Sequence, residues 1–442
     1  MKNHTIFQTF IKYVSFNVLS MIGLSCYILA DTFFIANKLG ADGLTALNLA
    51  IPIYSFINGT GLMIGIGGAT KFAILKAQGE HKKADTIFTH SVLFGTVFGL
   101  LYLLAGILLS ERLTLWMGAD MDTFAMANNY LKTILCFSPF FILNNILISF
   151  IRNDNEPRLA RAAMLAGSFS NIILDYFFVY PLRMGMFGAA FATCLAPVIS
   201  MTLLSRHFIK KRHHFHITRC LPKLDLFKTI SSLGLAALIT ELSSGIVIII
   251  FNIVILKISG NTGVAAYGIV ANLALVATSV FTGIAQGIQP ILSHHHGLGN
   301  QESIRKLLRY ALILSITLAT MIYGMIFFFS KPLIQIFNSG NDLTLESIAS
   351  KGLSIYFVGF FFAGINIVSS SYFMSIEKPY SAFILSFLRG FLILIPAVII
   401  LSEVFKMKGI WASYPFAEIF TTAIAVLLFY SAAVNSSRSE VQ

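Results

Sequence analysis

Of the 31 Lys and Arg and 19 Asp and Glu in this 442-residue chain, only Asp31, Asp175, Glu241, Glu418 and Arg389 stand deep inside apolar runs. An ionisable side chain in hydrocarbon costs about 3 kcal/mol or more, so each is a functional candidate by position alone. Asp31 lies seven residues before the far end of the first apolar run, and Asp175 six before the far end of the fifth. Thr193 stands eight after the start of the sixth. At 1.5 Å per residue the three share a depth of roughly 10 Å below one membrane boundary. Asn171 is one helical turn from Asp175, on the same face. Two carboxylates with an amide and a hydroxyl oxygen, and no base nearby, make an all-oxygen site. Such a site suits a hard cation such as Na+, or a proton shared between the acids. The plainer alternative is that Asn171 and Thr193 only hydrogen-bond neighbouring helices, as polar membrane residues often do.

Glu241, in the run ITELSSG, falls near the middle of the seventh apolar run. It suits contact with a cationic substrate, binding of a proton, or structural pairing. Arg389 and Glu418 reach similar mid-depths on the eleventh and twelfth runs, which favours a structural ion pair over substrate contact. Asn145 is a further oxygen, but counting places it deeper than the other four. The glycine-dense run GTGLMIGIGGAT (59–70) lacks both a preceding strand and a Lys-Ser/Thr ending, so it is a surface for close helix contact rather than a phosphate loop. His294, His295 and His296 and the polar-middle group His207, His213, His214 and His216 have no Cys or carboxylate at ligand spacing, and interfacial solvation is expected for them. Cys26, Cys136, Cys194 and Cys220 form neither a metal pattern nor a disulfide framework. No cofactor is expected beyond the coupling ion.

The elements that must hold these residues follow from composition. The chain is 56% apolar and 11% charged, against about 25% charged in a soluble domain. Twelve spans of about 20 residues need roughly 240 apolar positions, which this composition supplies, so a soluble enzyme and a singly anchored protein are both excluded. Hydropathy places spans at 13–38, 44–75, 89–109, 128–151, 158–181, 185–207, 228–256, 264–293, 309–330, 353–375, 379–401 and 409–430. The first is long and contains Asp31, so it reads as a membrane helix and not a cleavable signal. With the N-terminus in the cytoplasm, 22 of the 31 basic residues fall on the inner side, Arg152 and Lys2, Lys211 and Arg212 among them. That imbalance gives both termini a cytoplasmic location and accounts for the net charge of +12 without nucleic acid.

A shift of 220 residues places Gly40, Gly43, Ala46, Gly67 and Gly79 on Gly260, Gly263, Ala266, Gly287 and Gly299 without a gap, and a shift of 222 brings Glu156-Pro157 onto Lys378-Pro379. The expected fold class is therefore an all-α polytopic membrane protein: twelve transmembrane helices in two six-helix halves, 1–212 and 228–442, joined by a polar cytoplasmic linker at 213–227. Six spans per half is an even number, so both halves enter from the same side and relate by a pseudo-two-fold axis along the membrane normal, with a central cavity between them.

At these residues the sequence resembles the multidrug and toxic compound extrusion (MATE) family over nearly its whole length. The stretches ADTFFIANKLGADGLTALNLAIPIYSFINGTGLMIGIGGAT and NTGVAAYGIVANLALVATSVFTGIAQGIQPILSHHHGLGN carry the likeness. The resemblance implies a cation site in the first half formed by Asp31, Asn145, Asn171, Asp175 and Thr193, and it is the reason Asn145 is included. It implies a second-half acid at Glu241. The family's early helix 1 proline is replaced here by Val14-Ser15-Phe16-Asn17, which argues against bending of that helix, and Asn366 stands where some members carry a helix 10 acid. The implied protein is a plasma or inner membrane antiporter, a monomer, exchanging amphipathic organic cations for Na+ or H+, with membrane lipid around it. A flippase for lipid-linked or polyprenyl-linked sugars is the alternative, although a phosphate headgroup wants several deep bases and only Arg389 is deep. An intramembrane enzyme lacks a mid-span histidine beside an acid.

Overall fold

The computed structural model describes residues 5–210, 213–338 and 342–439; Lys2, Lys211, Arg212 and the boundary expected at 212 lie outside them. All regular structure among the described residues is helical. The first half comprises α1 (Ile6–Gly40), α2 (Asp42–Ala77), α3 (His81–Trp116), α4 (Phe124–Cys136 continued by Ser138–Asn153), α5 (Pro157–Val179) and α6 (Gly185–Ile209). The second comprises α7 (224–259), α8 (261–297), α9 (Gln301–Gln335), α10 (Leu343–Ser375), α11 (379–405) and α12 (407–439).

Near-continuous helicity runs from Leu224 to Gly297, 74 residues. An unbroken helix of that length would be roughly 110 Å long, several times a bilayer's hydrocarbon core of about 30 Å. It breaks at Gly260, with φ 60° and ψ −158°. Gly40 does the same between α1 and α2, with φ 66° and ψ −155°. Only glycine adopts that region at little cost. The repeat seen in the sequence is thus a repeat of backbone conformation. Gly79 and Gly299 (φ 82° and 69°) and Asn155 and Glu377 (φ 65° and 56°) continue it at spacings of 220 and 222. Pro157 and Pro379 open α5 and α11 at the first helical position, where a missing N–H costs nothing.

Most observed helices outrun the predicted spans, because hydropathy registers only the part in hydrocarbon. The predicted span 128–151 is bent by 49° between its two segments. Pro139, in the first turn of the second segment, cannot donate the helical hydrogen bond there. The Ser138 hydroxyl instead bonds the carbonyls of Leu135 (2.7 Å) and Gly99 (3.0 Å).

The halves meet most closely on the side that carries the N-terminus. A Cβ on Gly67 of α2 would lie 2.0 Å from the Ile230 carbonyl, and one on Gly234 of α7 would lie 1.9 Å from the Met63 carbonyl. The repeat-related crossing of α8 on α1 sets Gly287 against Val14 and Gly283 against Val18. Small residues let helix backbones approach in this way. Farther along α7 the contact loosens, and a Cβ on Gly245 would meet Ile51 and Ser55 only at 3.5 Å.

A polar seam reinforces the tight end. Arg152, placed by sequence among the orientation signals, is 2% exposed and reaches both halves. Its Nη1 donates to Asn17 Oδ1 (3.0 Å) and Gln286 Oε1 (2.7 Å). Asn153 donates to Gln289 (3.1 Å), Gln289 donates to Thr70 (2.9 Å), and Lys71 pairs with Glu377 (2.7 Å).

Candidate functional site

In the first half, α1, α5 and α6 converge so that Asp31, Asn171, Asp175 and Thr193 are all buried. Hydrogen-bond chemistry fixes the Asn171 amide: its nitrogen donates to Asp175 Oδ2 (3.0 Å) while its oxygen accepts from the Thr193 N–H (3.2 Å). One turn of α5 carries both Asn171 and Asp175, which is why the pair shares a face. The Asp31 and Asp175 carboxylates are within electrostatic reach of one another. Each retains a buried oxygen, Oδ1, that accepts no hydrogen bond from the described protein atoms. A buried carboxylate oxygen needs a proton, a cation or a donor. These residues fit an oxygen-coordinated monovalent cation or a shared proton.

Asn145 sits in a second group. Its Nδ2 donates to Asn58 Oδ1 (2.8 Å), and Asn58 Nδ2 donates to Glu241 Oε1 (2.9 Å). The chain of three crosses from α4 through α2 to α7, so it joins the two halves. Between this group and the acid site lie Tyr27 and Tyr54, their hydroxyls 3.5 Å apart. Tyr27 is within electrostatic reach of Asp31, Asp175 and Glu241. Tyr130 of α4 is buried within electrostatic reach of both aspartates. Sequence reasoning missed Asn58, Tyr27, Tyr54 and Tyr130. Only Asn58, a polar residue inside an apolar run, gave a local signal.

The second half is built differently at the related positions. Phe251, 220 residues after Asp31, stacks on Tyr267 (5.0 Å). Tyr414, related to Thr193, stacks on Tyr356 at 4.3 Å and 5°. The Glu418 carboxylate of this half is engaged on both oxygens: Arg389 donates to Oε1 from Nη2 (2.6 Å) and Nε (3.1 Å), and Asn366 donates to Oε2 (2.7 Å). A π-helical turn, Leu388–Leu392, carries Arg389, and such turns alter side-chain direction at the cost of helical regularity.

One expectation is corrected. His207, read as solvated at the interface, is 1% exposed, with Nε2 2.9 Å from Asp154 Oδ2. Asp154 also pairs with Lys76 and accepts the His214 N–H (2.9 Å). Burial alone would raise its carboxyl. The hydrogen bonds of His207 and Lys76, the Lys76 charge and the His214 backbone outweigh that and hold it below the usual carboxylate range. Phe215 draws the linker inward, fully buried against Phe88 (4.4 Å) and Phe72 (5.8 Å). Of the other polar-middle histidines, His214 and His216 are exposed and His213 is half-buried. Among the described residues no three of His, Cys, Asp and Glu converge to hold a metal.

A sequence profile of the MatE family matches residues 17–177 and 236–400. The multidrug export protein MepA of Staphylococcus saprophyticus is 24% identical over 420 residues, covering 94% of this chain and 92% of its own length. MepA of Staphylococcus aureus is 24% identical over 407 residues, covering 91% and 89%. A solved structure described as the outward-facing conformation of a multidrug resistance MATE family transporter superposes with a TM-score of 0.92 at 20% identity, covering 98% of this chain and 97% of that one.

Proposed function

The chain belongs to the MatE family of membrane transporters, and we propose that it is a cation-coupled antiporter exporting amphipathic organic cations by alternating access. The observation that carries this reading is the buried pair Asp31 and Asp175, with two carboxylate oxygens left open, no base beside them, and Asn171 and Thr193 fixed around them. The coupling ion binds there, inside the first half. Na+ is favoured over H+ because a proton needs no amide or hydroxyl to coordinate it. Asn145, implied by resemblance as a member of that set, instead supports Glu241 through Asn58.

The exported cation binds in the cavity between the halves, near Glu241, among aromatic rings such as Tyr27 and Tyr54. Ion and substrate then occupy different atoms, and exchange comes from rearrangement of the halves. Each ligand shifts that equilibrium only by its differential affinity for the two facings. With both termini cytoplasmic, the tight seam of α1, α2, α7 and α8 closes the inner side, which is the outward-open arrangement. The halves are 1–212 and 228–442, the linker is 213–227, and the protein works as a monomer in the plasma membrane.

The test is ethidium efflux from proteoliposomes with an imposed Na+ gradient and clamped pH. Na+-driven efflux is expected, and its loss in Asp31→Asn and in Asp175→Asn although both variants insert normally. Transport driven by a pH gradient alone assigns the site to H+. Full coupling in both variants refutes the site.

A further inference from the structure

The glycine-dense run 59–70 of α2 brings two helices onto one polar residue, Asn58. A Cβ on Gly59 would lie 2.7 Å from the Leu238 side chain and 3.4 Å from Glu241 Cβ, so glycine is what lets α7 come this close. On Gly61 it would lie 3.0 Å from Ile142 Cα and 2.9 Å from Asn145 Nδ2, and on Gly65 it would lie 2.9 Å from the Asn145 carbonyl oxygen, so the same run seats α4. At that approach Asn58 Nδ2 donates to Glu241 Oε1 (2.9 Å), and Asn145 Nδ2 donates to Asn58 Oδ1 (2.8 Å). The direction of both bonds is forced. An ionised carboxylate only accepts, so Asn58 must turn its nitrogen to Glu241; its oxygen then faces Asn145, which must donate.

Among the described residues Glu241 makes no ion pair, and its Oε2 accepts no hydrogen bond. The titratable side chains within electrostatic reach of it are Tyr27 of α1 and Tyr54 of α2. Where α11 packs on α7 at this depth the contacts are neutral: Thr240 with Ser386 (3.3 Å) and Ser243 with Gly390. The fold itself does not need an amide chain at such a crossing. Where α8 crosses α1, Thr278 and Met21 stand 220 residues from Asn58 and Glu241. The helices there are tied by the neutral pair Ser25 and Ser279, with hydroxyl oxygens 2.5 Å apart. A plain polar tie serves one crossing, and an amide chain ending on an acid stands at the other.

We propose that Asn58 and Asn145 are positioning residues for Glu241, a one-way amide relay from α4 through α2 that holds the carboxylate in place for the exported cation. This rests on the reading of Glu241 as the charge that meets the substrate. With Oε1 clamped by Asn58, Oε2 is the oxygen left for the cation, in one orientation. Asn145 then serves the substrate and not the coupling ion, in contrast to the role that its family resemblance implies. The bond that crosses between the halves is the one from Asn58 to Glu241, so the clamp exists only while α2 and α7 are in contact at Gly59. Affinity for the cation thereby depends on the facing, which is the differential affinity that exchange requires.

The test is ethidium binding to the purified full chain, followed by fluorescence, with efflux from proteoliposomes measured in parallel. Glu241→Gln should lower the affinity about tenfold or more, the factor that a charge-assisted contact supplies. Asn58→Leu and Asn145→Leu should each lower it about fivefold, the factor of one ordinary hydrogen bond. Asn145→Leu in the Asn58→Leu background should then cost nothing further, because Asn145 acts only through Asn58. Moving the charge one link along the relay is the rescue. Asn58→Asp with Glu241→Gln keeps the net charge, leaves the carboxylate at 58 accepting from both neighbours, and should bind ethidium within about threefold of the parent, far from additivity. The concentration of driving ion at half-maximal efflux should stay within about twofold of the parent in Asn145→Leu, since no ligand of the acid site is lost. Additive losses at 58 and 145, no recovery in the charge-swapped pair, or a shifted ion requirement with unchanged ethidium affinity in Asn145→Leu overturns the relay. Unchanged affinity in Glu241→Gln overturns the reading of Glu241 on which the relay rests, and the relay with it.

Discussion

Gly234→Ala tests the closed seam directly. The added Cβ would lie 1.9 Å from the Met63 carbonyl oxygen and 2.6 Å from its carbon, both backbone atoms of α2 that no rotamer change can move. Ordinary contact begins at 3.4 Å, so α2 and α7 must separate by about 1.5 Å at this crossing, in the range where dispersion contacts along the interface are largely forfeited. Overpacking of this kind costs about 1–3 kcal/mol, and the better helix propensity of alanine is common to both facings and so does not offset it. That is about a five- to 140-fold shift of the facing equilibrium toward the arrangement open on the N-terminal side. The penalty belongs to one facing only, so the protein should still fold and insert. Gly245→Ala, on the same helix, meets its nearest neighbours at 3.5 Å and should leave the equilibrium unchanged. The measurement is the distance distribution between spin labels on Lys82 and Glu302, at the starts of α3 and α9. Gly234→Ala should transfer population to the longer distance, and ethidium efflux should fall. A distribution and an efflux rate indistinguishable from those of the parent would refute the argument that backbone contact at this crossing holds the seam.

Three further outcomes are expected. Asp154→Asn should lower stability at pH 7 by about 3 kcal/mol or more, because it strips the buried partner from Lys76 and His207. The Asp154 pKa is depressed, so its contribution is fully present above the unfolded value near 4 and is lost as pH falls through the folded value. The gap between parent and variant in thermal unfolding should therefore shrink below about pH 4. Arg389→Met leaves the Glu418 carboxylate buried without its cation and should cost about 3–5 kcal/mol. The double variant with Glu418→Gln should recover most of that loss in the same assay, and strictly additive losses would argue against a coupled pair. Glu241→Gln should weaken binding of a fluorescent organic cation more than that of a neutral analogue, with equal weakening counting against a charge contact at Glu241.

The membrane class, the number of helices and the two-half plan were legible in the sequence, because each rests on local quantities. Apolar length sets a span, lone polar residues stand out within it, and the glycines at 40, 79, 260 and 299 mark backbone conformations that other residues adopt only at a cost. Asp31, Asp175 and Thr193 could be grouped by depth, since helical rise is constant along every span, and Asn171 joined them by standing one turn from Asp175 on the same face. Rotation about the helix axis and the pairing of helices are not local. Depth counting therefore could not say that Asn145 turns to Asn58 and Glu241, or that Tyr27, Tyr54 and Tyr130 stand around the acids. The π-helical turn at Arg389 depends on a single displaced hydrogen bond, the burial of Arg152 on partners 134 and 135 residues away, and that of His207 on Asp154, 53 residues away. Hydropathy counts Arg152 and His207 as interfacial charges. Only the packing of α4 against α1 and α8, and of the linker beneath α2 and α3, makes one a strut between the halves and the other a buried partner of Asp154.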